Sequence, residues 1–224
     1  MTGYKYDTHV HTAETSPCGK VPAAEMMRLY NEAGYSGVVI TDHFTKHFFD
    51  MQFLKSWSGK VDAYLKGYKA AVEAGKLYGL DIILGIELTF TENNNDYLIF
   101  GVDEQFLKEI KEPCKLGLEG FRKLTEGRGL LVFQAHPFRP FMIPAPPALI
   151  DGVEVYNGNV RHDPRNEVAY KYAADNGLKM SSGSDSHRVG DQARGGIVLP
   201  YRISNSMELV RAFNEGHISE LIRT

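Results

Sequence analysis

The 224 residues, 43% of them hydrophobic, suffice for one substantial core, so a single α/β domain over residues 1–224 is expected. A formal net charge of -3 without a basic cluster offers no grip on a duplex, so no stable nucleic-acid partner is expected. Cys18 and Cys114 are too few for a disulfide framework, no run approaches the roughly 18 apolar residues of a membrane span, and no apolar signal core opens the chain; a cytoplasmic protein without a membrane partner is expected.

The first predicted strand runs from about Tyr4 to His9 and leads into His9-Val10-His11. In extended chain, residues two apart face the same way, so both imidazoles can reach one metal ion from a strand end. After a polar loop over 12–19, Pro22 opens a helix to about Ala33, with Met26, Leu29 and Tyr30 on its apolar side and Gly34 ending it. Residues 37–41 form a continuously apolar strand of the kind buried beneath helices on both faces, and Asp42-His43 closes it. Residues 44–59 are aromatic and irregular, either a lid or a peripheral packing segment.

A helix from about Val61 to Leu77 is expected to stop at Gly79, before a strand over 82–86 that delivers Glu87 to its end. Residues 91–96 read as a turn and 97–100 as a short strand. Helical material fills much of 104–128, interrupted near Pro113 and Gly117. The strand over 130–134 then delivers Ala135-His136-Pro137, and the proline-rich stretch over 137–147 reads as a fixed loop. Further strands are expected over 152–156, ending in Asn157-Gly158-Asn159, over 179–182, before Asp185-Ser186-His187, and over 197–199. Helices are expected over 166–176 and 207–214, with a C-terminal tail after the second.

The alternation of strand and helix suits a parallel α/β barrel, irregular or short of eight strands, in which side chains distant in sequence meet on one rim. An open doubly wound sheet is the alternative, but the first strand-to-helix turn carries histidines in place of Gly-x-Gly-x-x-Gly. His9, His11, His43, Glu87, His136, Asp185 and His187 nearly all follow apolar runs, which points to one polynuclear metal site. A mixed carboxylate and imidazole set holds a divalent ion while leaving a position open, and Glu87 can bridge two ions. Asp7 or Asp42 can fix the tautomer of a ligating imidazole, and Asp42 can also handle protons. Cys18 reads as either structural or a thiolate ligand.

Five segments together resemble the PHP family, the polymerase-and-histidinol-phosphatase superfamily: Asp7-Thr8-His9-Val10-His11, Thr41-Asp42-His43, Gly85-Ile86-Glu87, Ala135-His136-Pro137 and Gly183-Ser184-Asp185-Ser186-His187. The resemblance implies a distorted (β/α)7 barrel, two or three divalent ions (zinc, manganese or iron) and metal-assisted phosphoester hydrolysis. It implies that His9, His11, Glu87 and Asp185 form one metal's shell, that Glu87 bridges to a second served by His136, and that His43 and His187 are further ligands. Where the family often has two additional histidines, this chain has Pro17-Cys18 and the segment 93–97.

The expected reaction is attack on a small phosphomonoester, such as a nucleoside monophosphate or histidinol phosphate, by a metal-activated hydroxide, with His187 or Asp42 assisting proton transfer. Arg139 can clamp a phosphate or be a surface charge. Arg161, His162, Arg165 and Arg188 are further anion-binding candidates, while Asn157 and Asn159 offer neutral hydrogen bonds. The alternatives are a phosphodiesterase or 3'-5' exonuclease acting on short nucleic-acid ends, and a non-enzymatic metal-stabilised or polymerase accessory module.

Overall fold

The computed structural model describes residues 3–224. Its elements run β1 (Tyr4–Val10), α1 (Ala23–Glu32), β2 (Gly37–Ile40), β3 (His43–Phe44), α2 (Lys46–Asp50), α3 (Trp57–Tyr64), α4 (Lys66–Tyr78), β4 (Asp81–Leu84), β5 (Ile86–Thr89) and β6 (Asp96–Phe100). They continue with α5 (Glu104–Glu109), α6 (Gly117–Leu124), β7 (Leu131–Gln134), β8 (Gly152–Asn157), α7 (Asn166–Asp175), β9 (Lys179–Gly183), β10 (Gly195–Leu199), α8 (Ser206–Asn214) and β11 (Glu220–Arg223). The segment expected to be a C-terminal tail therefore contains an edge strand, β11, paired antiparallel with β10.

The strands form two mixed sheets, ordered β11-β10-β1-β2-β4 and β3-β5-β6-β7-β8-β9. The expected run of parallel strands is broken, because β6 lies antiparallel to both β5 and β7, and β10 lies antiparallel to β1. The expected strand over 82–86 is really two, since the chain leaves the first sheet at Leu84 and enters the second at Ile86. Gly85 makes that step possible: a Cβ there would stand 2.9 Å from Val39 Cγ1 and 3.0 Å from Thr41 Cγ2. Two backbone bonds, Gly85 N–H to Ile40 O and Glu87 N–H to Asp42 O, carry the pairing across the step. At the other seam, Val10 bridges Ser186 and Thr8 Oγ1 donates to Ser182 O at 2.9 Å.

Side-chain alternation explains why the apolar strands carry almost no polar face. Tyr6, Val39, Ile83 and Ile197 of the first sheet meet Leu98, Phe100, Leu131 and Phe133 of the second in a core between the sheets, with Leu209 and Phe213 of α8 packed against it. The intervening residues Val38 and Ile40 point outward to Met26, Met27 and Tyr30 of α1 and to Ala71 and Ala74 of α4. A third cluster covers the outer face of the second sheet.

The aromatic stretch after β3 belongs to this third cluster. Phe44, Phe49 and Tyr64 are buried, with the Phe44 and Phe49 rings 4.4 Å apart and Trp57 4.9 Å from Phe49, so the packing expectation holds and these rings form no lid. The stretch is also less irregular than expected, containing β3, α2 and the start of α3. Nor is the helix over 61–77 continuous, since it breaks at Leu65 between α3 and α4. Just beyond the break Gly67 passes so close to the loop after β1 that an added Cβ would lie 1.9 Å from Thr12 Oγ1. Its N–H donates to Thr15 Oγ1 at 3.1 Å, tying α4 to the loop that carries Ser16 and Cys18.

A candidate metal centre

One end of the space between the sheets is apolar and the other holds imidazoles and carboxylates. β1 brings His9 and then His11 to this end, both fully buried, and their rings lie 5.0 Å apart. β5 supplies Glu87 from within the strand rather than after it, because the strand begins at Ile86. His136 follows β7 and Asp185 follows β9, and both adopt left-handed backbone, with φ of 30° and 50°. Such values are uncommon in residues with a Cβ and mark sharply turned chain at a functional position.

The donor atoms fall into three overlapping groups, each with its atoms within 4.8 Å of one another: His9 with His11 and Asp185; His9 with Glu87 and His136; and His11 with His43 and His187. All seven ligand candidates named from the sequence are thus brought together. Glu87 Oε1 lies 3.2 Å from both His9 Nε2 and His136 Nε2, and its Oε2 lies 2.6 Å from His43 Nδ1. Asp185 Oδ1 lies 3.7 Å from His9 Nε2 and 3.4 Å from His11 Nε2.

Two of these rings have their tautomer fixed from behind. His9 Nδ1 donates to Glu154 Oε1 at 2.8 Å. Ser16 Oγ gives its own proton to Asp42 Oδ1, so it accepts from His11 Nδ1 at 3.2 Å. A neutral ring held this way turns the lone pair of Nε2 inward, and both of these nitrogens, together with Glu87 Oε2, are buried without an aligned hydrogen-bond partner. Buried lone pairs facing one another are costly unless a cation lies among them. The donor set accordingly fits divalent ions.

The imidazoles and acids of the centre also act on one another. Burial opposes ionisation of Glu87, but the imidazoles of His43 and His9 outweigh it and hold the carboxyl well below the usual range. Asp185 behaves alike, burial being overcome by His9, His11 and Arg139. Burial depresses His11, and His187 and His43 add to the depression, whereas the acids around His9, led by Glu154, raise it against burial.

Three residues stand elsewhere than the sequence suggested. Asp42 is 2% exposed and lies outside the cleft lining. It accepts from Thr12 N–H and Thr12 Oγ1 at 2.7 Å each as well as from Ser16, so it orders the loop and reaches His11 only through Ser16. Burial raises its carboxyl to about 6. Asp7 likewise contacts no imidazole ring, and binds the backbone N–H of His9 and Ser184 and the Tyr30 hydroxyl. Asn157, expected at the substrate, is buried behind the centre, donating to Glu154 Oε2 at 2.9 Å and Asp185 Oδ2 at 3.3 Å.

The direct contact with an imidazole expected of Asp7 or Asp42 is made at His9 by Glu154, which the sequence reading passed over, while Asp42 acts on His11 through Ser16. It sits inside β8, fully buried, and also accepts the His136 N–H at 3.1 Å. The signal was a lone acid within Gly-Val-Glu-Val-Tyr, where burial demands partners. Asp96 was also missed. Because β6 runs antiparallel, its first residue reaches the rim, placing Asp96 Oδ2 4.0 Å from His136 Nε2. Burial and the neighbouring Glu87 raise its carboxyl.

A cleft of about 390 Å³ opens over the centre. Glu87, His136, Asp185 and His187 border it from below, and Arg139, Asn159, Arg161, His162 and Arg188 stand around it. Arg139 Nη2 donates to Asp185 Oδ2 at 2.6 Å, while Arg161 is paired with Asp191 at 2.7 Å. Arg188 makes no ion pair among the described residues, and Arg165, paired only with nearby Asp163, is outside the lining. Cys18 lies at the edge, its Sγ 3.1 Å from His43 Nε2. Burial would raise that thiol, but hydrogen bonds with His187 and His43 prevail and bring it to about 6.

A donor set able to hold divalent ions lies beneath an open polar cleft on a mixed α/β scaffold, which defines a candidate metal-binding protein. The PHP domain family matches residues 7–219, and the chain belongs to that family. No curated protein matches the chain. Among solved structures it is similar to a two-domain Bacteroides vulgatus protein containing a region assigned as a PHP-like metal-dependent phosphoesterase, at 16% identity and a TM-score of 0.67. That match covers 96% of this chain and 64% of the Bacteroides protein, so the chain spans less than two thirds of that relative. A Bifidobacterium adolescentis protein assigned as a metal-dependent phosphoesterase matches at 16% identity and a TM-score of 0.58, covering 96% of both chains. An amidohydrolase from Chromobacterium violaceum with bound sulfate and no metal matches at 16% identity and a TM-score of 0.54, covering 97% of both.

Proposed function

We propose that the chain is a phosphoesterase that hydrolyses a small phosphomonoester, such as a nucleoside monophosphate or a histidinol-phosphate-like compound. The observation that carries this reading is the set of three donor groups joined through His9 and His11 beneath a cleft walled by cations. A volume of about 390 Å³ suits a small molecule, and the sulfate held by the Chromobacterium relative supports a tetrahedral oxyanion as ligand. Two or three divalent ions, zinc, manganese or iron, would be held by His9, His11, Glu87, His136, Asp185, His43 and His187. Bound there, they supply Lewis acidity towards phosphoryl oxygens and lower the pKa of water.

The chain's own residues bind and orient. Arg188 and His162 meet the phosphate from the cleft wall, and Arg161 does so while held by Asp191. Arg139 holds Asp185 Oδ2 so that Oδ1 faces the centre, and its side chain lines the cleft. His187 donates Nδ1–H to the Asp185 carbonyl, which leaves Nε2 as its one free nitrogen. That nitrogen serves as a ligand, and protons exchange with water in the open cleft. Asp42 and Asn157 act as supports.

We further propose that residues 1–224 form one PHP domain in the cytoplasm and that the two sheets are parts of a distorted (β/α)7 barrel. The Val10–Ser186 bridge and the Gly85 step support closure at the two seams. No helix is long and apolar enough to cross a membrane.

The test is phosphate release from a panel of monoesters by protein loaded in turn with manganese, iron and zinc. The reading expects metal-dependent release that chelation abolishes. Release of nucleotides from single strands without monoester turnover would replace it with the exonuclease reading, and metal-loaded protein inactive on both panels would reject hydrolysis.

A further inference from the structure

We propose that Phe141 is a fixed apolar platform at the rim of the cleft, on which the leaving group of the substrate stacks, so that the site prefers phosphomonoesters whose leaving group carries a planar ring. This rests on the phosphomonoesterase reading of the same cleft. Two successive turns lead from the centre to this residue: Arg139 N–H donates to His136 O and Met142 N–H to Arg139 O, at 3.0 Å each. In the second turn, Arg139-Pro140-Phe141-Met142, proline suits the second position and Phe141 takes the third with a φ of 73°. That is the pattern of a type II turn, whose third position favours glycine. A bulky ring there is a conformational outlier, and strain of this kind collects at ligand-binding positions.

Packing does not explain the ring, since Phe141 is 88% exposed and belongs to none of the three apolar clusters. The turn beneath it is nevertheless anchored on both sides. Phe138 packs against Tyr172, their ring centres 5.6 Å apart, and the Tyr172 hydroxyl donates to Ala145 O at 2.6 Å. Ile143 O accepts from Asn95 Nδ2 at 2.7 Å and from Gln134 Nε2 at 2.8 Å, while its N–H donates to Asn95 Oδ1 at 2.9 Å. A platform held this way loses little freedom on binding. It stands one turn away from Arg139, which lines the cleft. Among the described residues that lining contains no aliphatic or phenyl side chain, so apolar surface for a leaving group has to come from the rim. The phosphate meets cations inside the cleft, and the ring of the leaving group lies against Phe141 at its edge.

The experiment compares adenosine 5'-monophosphate with ribose 5-phosphate, which differ in whether the base is present, on the full metal-loaded chain. Wild type should favour the nucleotide in kcat/KM. Phe141→Gly should lower that preference by at least about tenfold, the worth of one ring stacked on a base, while Phe141→Trp should keep it. Phe141→Gly should also unfold at or above the wild-type temperature, because glycine relieves the positive φ. An unchanged preference would overturn the proposal and leave the monoesterase reading standing; a lower unfolding temperature would return the ring to a packing role and overturn it too. Turnover of neither ester would count against the monoesterase reading, and fluorescence then decides the platform: quenching of Phe141→Trp by the nucleotide but not by ribose 5-phosphate supports it, and equal response to both overturns it.

Discussion

The inner and outer parts of the centre are built differently. Around His9, Glu87 and His136 the donors are at most 2% exposed and are supplied by strands or the residues just beyond them, with Glu154 behind two of the three. Around His43, His187 and Cys18 the donors are partly open and border the cleft. The contrast teaches that the inner donors are enclosed by the fold, whereas the outer ones, His43 from β3, His187 from after β9 and Cys18 from the loop after β1, stand where solvent reaches them.

The largest expected effect comes from Glu87→Ala, which removes a carboxylate that lies within 3.5 Å of four imidazoles. Metal content should fall and phosphate release should drop by at least about 10²–10³-fold, comparable to losing a principal electrostatic element of an active site. Elemental analysis alongside steady-state kinetics checks this, and retained metal with full turnover would erase the distinction between inner and outer groups. Glu154→Gln comes next. It leaves every donor atom in place but weakens the hold on His9 Nδ1, so metal affinity or activity should fall about 10–100-fold with the fold intact by circular dichroism.

Asp96→Asn should have a smaller effect, about tenfold, confined to the ion nearest His136. Competition with a chelator should show one ion released more easily than in wild type while the others are retained. The smallest effect is expected at the other cysteine. Burial pushes the Cys114 thiol up to about 12, so iodoacetamide should spare it at neutral pH and Cys114→Ser should leave turnover unchanged. Equal alkylation of Cys18 and Cys114 would contradict the environments described.

What was legible in the sequence follows the same division. The ligand candidates could be read because each stands in or just after an apolar run, where a histidine or acid needs a partner. The breaks at Pro113 and Gly117 and the stop at Gly79 were legible for a similarly local reason, since backbone chemistry decides them. Strand direction was not. Nothing within Asp96–Phe100 distinguishes a parallel from an antiparallel strand, so Asp96 was assigned to a turn while the reversed β6 carries it to the rim. The step at Gly85 was hidden because Ile82–Ile86 is apolar throughout, and only the close approach of Val39 and Thr41 reveals why glycine stands there. Glu154 was readable in principle, but its role depends on which imidazole β8 faces, a matter of tertiary packing.

The central claim is that chain-distant imidazoles and acids surround a cluster of cations. Anomalous diffraction from crystals of the metal-loaded protein tests it most directly. The account predicts one peak among His9, His11 and Asp185 and a second between Glu87 and His136. A fully loaded protein whose anomalous peaks lie away from both groups would contradict it.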